Sequence, residues 1–197
     1  MGSQQVFQPL TREDKITVVL YRIGIILSAL IISSLAYLLS IANPLVNNAH
    51  IDILGYALFA SVGMSVFFIH LYIGKFKTFL KNLYYVGLVG LAALLYIGNR
   101  SLSGALIHEP SSTLLLLPLS GCLGFITAKE AFCFKLFEGY LLAMIMPIYL
   151  LLIAVGSLAN QGIFFGLILI AVMLVLFTIR KVTMPLAYDI GDKSAYQ

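Results

Sequence analysis

Six side chains near one boundary of this chain are of types that do chemistry: Arg22, His70, Lys129, Glu130, Cys133 and Glu138. A histidine can move a proton or ligate a metal, haem or pigment. A carboxylate beside lysine or arginine makes an ion pair or a proton relay. A thiol between lysines, as Cys133 lies between Lys129 and Lys135, can be drawn toward its nucleophilic thiolate. A second group, His50, Asp52, His108 and Glu109, with Arg100 nearby, offers four ligands that suit a divalent metal if the two segments holding them meet. Neither group spells out a reaction, because the chain has no CxxC pair and no zinc-type ligand spacing.

The elements that must position these groups are membrane spans. Hydrophobic residues make up 61% of the 197 residues and charged residues 10%, with a mean hydropathy of +1.02. Soluble domains carry roughly a quarter charged residues. Six apolar stretches stand out, at 16–41, 53–74, 83–98, 113–128, 137–156 and 163–179. A spanning helix needs about 17 to 25 apolar residues, so the third and fourth must stand upright or borrow flanking residues. The apolar runs are continuous and do not alternate, which selects helices over a barrel, and in hydrocarbon only a helix satisfies its own backbone. The first run stops at Asn43-Pro44, and Pro118 and Pro147 fall inside spans four and five, where each is expected to kink its helix. The expected fold is an all-α bundle of six transmembrane helices over 16–180. Short cytoplasmic segments are expected at 1–15 and 181–197.

Charge fixes the expected orientation. Of the twelve basic residues, Arg100 alone lies on one side; Arg12, Lys15, Arg22, Lys75, Lys77, Lys81, Lys129, Lys135, Arg180, Lys181 and Lys193 gather on the other. This asymmetry predicts that both termini are cytoplasmic. It also accounts for the net charge of +4 as membrane-flanking, so no nucleic-acid partner is expected. The first apolar run is too long for a signal-peptide core, and Met1-Gly2 is not followed at Val6 by the Ser or Thr that acylation requires.

At this depth Arg22 lies about two turns inside span one and His70 one turn from the end of span two. The stretch 127–138 contains no Gly, Pro or Asn. Read as a helix, it aligns Lys129, Cys133 and Phe137 on one line and Glu130, Phe134 and Glu138 on the next, with its aromatic residues dipping into the interface. Arg22 is expected to pair with Glu130 or Glu138, or to snorkel to lipid phosphate. Cys122 and Cys133 stand eleven residues apart, roughly 16 Å along a helix, too far for a disulfide. His70 lacks a second histidine at its own depth to complete a haem, since His50 and His108 belong to the opposite face. A pigment that takes one histidine, such as a chlorophyll, stays open beside a simple hydrogen bond to a carbonyl or near Tyr72, and the sequence requires no cofactor. Small residues, Ala57, Ser61 and Ser65 on span two, Gly87, Gly90 and Ala93 on span three, and Gly162 and Gly166 on span six, mark helix contacts.

Ile69-His70-Leu71-Tyr72 followed by Lys75, and Lys129-Glu130-Ala131-Phe132-Cys133-Phe134 followed by Glu138, resemble elements of a family of uncharacterised integral membrane proteins found mainly in cyanobacteria. Tyr21-Arg22-Ile23-Gly24 and Leu106-Ile107-His108 fit less specifically, and the resemblance covers roughly residues 15–181. It implies a phototroph's plasma or thylakoid membrane and transfers no activity.

Three classes of function follow. A non-enzymatic accessory or assembly protein, with the lipid bilayer and other membrane proteins or complexes as partners, fits the short loops. A small-solute or ion transporter or channel fits the kinked spans and the buried Arg, His and Glu, although no acid lies at mid-membrane. An intramembrane enzyme built on Cys133 comes third.

Overall fold

The computed structural model describes residues 11–41, 48–71 and 73–190. Asn43-Pro44, Tyr72, Lys193 and the Met1-Gly2 to Val6 start lie outside the described residues. Among those described, the helices are α1 (Arg12–Ile41), α2 (Asn48–Phe68), α3 (Gly74–Ile97), α4 (Leu102–His108), a 3₁₀ helix (Pro110–Leu116), α5 (Leu117–Phe134), α6 (Phe137–Ala154), α7 (Asn160–Val182) and α8 (Ala187–Ile190). Among the described residues six segments are long and apolar enough to cross a membrane; the fourth joins the 3₁₀ helix to α5 as Pro110–Phe134. Both short spans lengthen by borrowing. The third starts nine residues before its expected edge and takes in Lys75, Lys77 and Lys81, whose long stems let the charge reach water from a helix end.

Local chemistry sets the ends. Thr11 and Asp14 cap α1 reciprocally, Thr11 Oγ1 accepting from the Asp14 amide at 3.2 Å and Asp14 Oδ2 from the Thr11 amide at 2.9 Å. Pro118 does not kink the interior of a helix. It sits in the first turn of α5, where a missing N–H leaves no intrahelical bond unmade, and the break in span four is a change from 3₁₀ to α winding. Pro147 does lie inside α6.

The stretch 127–138 is not one helix. α5 stops at Phe134, Lys135 takes left-handed angles (φ 56°, ψ 40°), and α6 starts at Phe137. The reason is tertiary: α5 and α6 pack against each other along their length, so the chain must reverse here. Gly139 makes the reversal possible, because a Cβ there would strike the Thr127 carbonyl. The expected line from Lys129 through Cys133 to Phe137 therefore does not form.

Packing is closest between α1 and α2. A Cβ on Gly24 would collide with Ser65 Oγ and lie 2.6 Å from the Ser61 carbonyl. Across this contact Ser28 and Ser61 hydroxyls bond at 2.9 Å, and Ser65 Oγ donates to the Tyr21 carbonyl at 3.2 Å. Small residues thus bring two backbones together where lipid supplies no hydrophobic drive. α7 packs on α1 and on α6, and α3 on α5, around a core that includes Ile25, Val62, Leu94, Ile126, Leu142 and Leu174. The start of α1, the ends of α2, α5 and α7 and the starts of α3 and α6 share one end of the bundle, called the basic end below.

Candidate functional site

The basic end holds a buried chain of charges contributed by α1, α5, α7 and α8. Glu130, fully buried on α5, is its centre. Its Oε1 accepts from Tyr21 Oη on α1 at 2.7 Å and from its neighbour Lys129 Nζ at 2.7 Å. Its Oε2 lies 2.5 Å from Lys181 Nζ of α7, an ion pair out of hydrogen-bond alignment. Lys181, also fully buried, extends the chain to Asp189 Oδ1 on α8. Asp189 Oδ2 in turn accepts from Arg22 Nε at 2.7 Å and lies 2.6 Å from Nη2.

Each link is built by its element. Tyr21 and Arg22 are adjacent on α1, so one side chain turns to α5 and the other to the segment after α7. Arg22 Nη1 donates to the carbonyls of Val182 at 3.1 Å and Met184 at 2.7 Å, and Nη2 to that of Pro185 at 3.1 Å. These carbonyls lie at and beyond the end of α7, that of Pro185 also accepting from the Tyr188 amide at 3.2 Å; a planar guanidinium with five donors gathers three of them and a carboxylate together. Phe134 completes the enclosure: Lys181 Nζ sits 4.0 Å from its ring centroid, and the ring stacks on Tyr188 with centroids 6.2 Å apart.

The expected pairing of Arg22 with Glu130 or Glu138 is corrected by these contacts. Arg22 takes Asp189; Glu130 takes Lys129 and Lys181; Glu138 takes Arg180, whose Nη1 lies 2.8 and 2.7 Å from its two oxygens at a half-exposed surface. The functional residues missed were Lys181, Asp189 and Tyr21. The last two basic residues of an apolar run, followed within ten residues by an acid, were the only signal, and it points equally well to a solvated tail. Residues 181–190 pack into the bundle instead.

His70 lies beyond the end of α2, in the connection to α3, and its Nε2 is 2.9 Å from Thr17 Oγ1 on α1. Burial, together with the positive charges of Lys77 and Lys129, holds its pKa below the ordinary value. Cys133 is exposed and Cys122 buried, both as free thiols. Lys129, four residues before Cys133 on α5, bonds to Glu130.

At the opposite end the four proposed metal ligands do not converge. Among the described residues no three His, Cys, Asp or Glu side chains form a group able to hold a metal. His50, His108 and Glu109 are exposed, and Asp52 Oδ1 accepts from the Ser103 amide at 2.6 Å, capping the start of α4. A carboxylate at a helix N-terminus is favoured by the helix dipole. That role depends on α4, a short helix between spans three and four, buried at Leu102, Ser103 and Ala105, that the hydropathy pattern does not reveal.

With this geometry in place, comparison with known proteins gives the class. The family described as uncharacterized integral membrane protein (DUF2301) matches residues 64–197, which include α5 to α8 and with them Lys129, Glu130, Lys181 and Asp189. The chain is a DUF2301 protein. It is also 26% identical over 201 residues to an uncharacterized protein of Haemophilus influenzae, covering 100% of this chain and 99% of that one. No solved structure matches it. As a DUF2301 member with six apolar helices, it is a multi-pass integral membrane protein that sits in the lipid bilayer.

Proposed function

We propose that this DUF2301 protein is a non-enzymatic accessory or assembly protein of a bacterial inner membrane, with both termini cytoplasmic. The observation that carries the reading is how the charges at the basic end are used. Tyr21, Arg22, Lys129, Glu130, Lys181 and Asp189 each bond to a different residue of the same set or to the backbone after α7. Buried charge of this kind costs desolvation free energy, and its best-attested return is one defined arrangement. Here it fixes the bundle and its tail and leaves the outer helix faces as contact surfaces for lipid and membrane proteins. Gathering of the basic residues at one end supports the orientation, and the relative in Haemophilus influenzae supports an inner membrane over a thylakoid.

Crosslinking tagged protein in native membranes, followed by mild solubilisation, tests this. A defined membrane-protein partner, still captured with Glu130→Gln, is the expected result. A reporter fused after Gln197 that is active outside the cytoplasm overturns the orientation.

A transport reading has one observation in its favour. Span four changes from 3₁₀ to α winding at Leu117, and close to the break Ser120 Oγ is buried without a hydrogen-bond partner among the described residues. Discontinuous helices with polar groups at the break are how many transporters hold substrate. Solute flux in vesicles that is lost with Ser120→Val would select this reading over the first.

A further inference from the structure

The ion chain at the basic end does not balance. Three cations, Arg22, Lys129 and Lys181, meet two carboxylates, Glu130 and Asp189. Arg22 has its donors filled by Asp189 and three carbonyls. Lys181 is enclosed by both acids and the Phe134 ring. The surplus positive charge therefore falls on Lys129, whose ammonium makes one hydrogen bond among the described residues, to a carboxylate oxygen it shares with Tyr21. Two of its three donors remain. Lys129 is also where the chain opens: its side chain is 13% exposed, against 0% for Lys181 and Glu130.

Other groups face the same opening. Lys129 Nζ stands over the Tyr21 ring, 5.8 Å from its centroid. One turn back on α1, Thr17 holds His70, so His70 and Lys129 flank one strip of α1 about 6 Å long. The positive charge in excess stands at the boundary of an apolar phase, where an unmatched charge recruits a counter-ion.

We propose that Lys129 forms a phosphate site at the basic end, where α5 meets α1 beside His70. The phosphate is that of an anionic lipid headgroup or of a soluble phosphate. Its tetrahedral oxygens accept from the free donors of Lys129, and binding brings the cluster to neutrality. An anionic lipid fits because its phosphate lies at the depth where span four ends.

The test uses the purified intact protein in mild detergent, with melting followed as phosphatidylglycerol, diacylglycerol (the same tails without phosphate) or inorganic phosphate is added. Stabilisation by phosphatidylglycerol, with none by diacylglycerol, is expected, and native mass spectrometry should show one retained anionic lipid. Stabilisation by inorganic phosphate alone assigns the same site to a soluble source. Lys129→Gln should raise the half-saturating concentration about tenfold, the worth of one charge-assisted bond. Lys129→Arg should largely restore it, and Arg180→Gln, at the neighbouring exposed pair, should leave it unchanged. Should Lys129→Gln fail to fold, the contrast between phosphatidylglycerol and diacylglycerol on the unaltered protein decides. Equal stabilisation by diacylglycerol, or an unaltered phosphate response in folded Lys129→Gln, overturns the proposal.

Discussion

Replacing Asp189 by asparagine removes the anion that joins two buried cations. In the native protein Asp189 Oδ2 holds Arg22 and Oδ1 holds Lys181, with its side chain only 1% exposed. Breaking one side of a buried ion pair costs about 3–5 kcal/mol, because the partner charge is left without compensation. Here Arg22 keeps its three carbonyls and Lys181 keeps Glu130, so Asp189→Asn should fall near the lower limit, about 3 kcal/mol. Unfolding by SDS titration from mild detergent at neutral pH measures it, with Arg180→Gln as the reference. That residue's pair with Glu138 is 54% exposed on the arginine side and should be worth less than about 1 kcal/mol. Combining Arg22→Gln with Asp189→Asn should cost less than the sum of the two alone, by about 2 kcal/mol, since each single change already breaks their shared contact. If Asp189→Asn is no worse than Arg180→Gln, or if the two changes simply add, the tail is not held by this charge chain and the account of the basic end fails.

Three further outcomes follow from the geometry. Gly24→Ala should destabilise by about 1–3 kcal/mol in the same titration, since its Cβ meets Ser65 Oγ and the Ser61 carbonyl; Ser65→Gly in the same chain should recover part of the loss. A maleimide should modify exposed Cys133 in folded protein and leave buried Cys122 untouched until denaturation; equal labelling of both contradicts the packing of α5. His70, with its pKa depressed by burial and by Lys77 and Lys129, should make stability fall on acidification. An unfolded histidine takes a proton near pH 6.5 and the folded one only below that, so its contribution is complete above about 6.5 and is lost as pH falls toward the folded value. The melting temperature should therefore drop between about pH 7 and 5, and His70→Gln should flatten that part of the curve; an unchanged slope in the variant would assign the acid sensitivity elsewhere.

The spans were legible because crossing a bilayer is a one-dimensional demand. A run of about 20 apolar residues must be a helix whatever its neighbours are, so six spans could be counted from hydropathy alone. Lysines at their ends likewise marked which ends lie together. The residue types of the buried cluster were legible too, since Arg22, Lys129 and Glu130 at such depth demand partners. Which partners they take was not. Glu130 and Arg22 were open to several pairings, and the outcome turned on how α7 and α8 close over α1 and α5, a rotation and a chain reversal that hydropathy does not encode. The same holds for Lys135, whose left-handed angles interrupt a sequence without any helix breaker, because antiparallel packing through Gly139 and Gly124 requires the turn. Asp52 caps α4 only because that short helix is buried against α2. The amino-acid sequence thus determined what enters the membrane and which charges must be neutralised; the tertiary structure decided by what, because electrostatic pairing falls off over a few ångströms and only packing sets those distances.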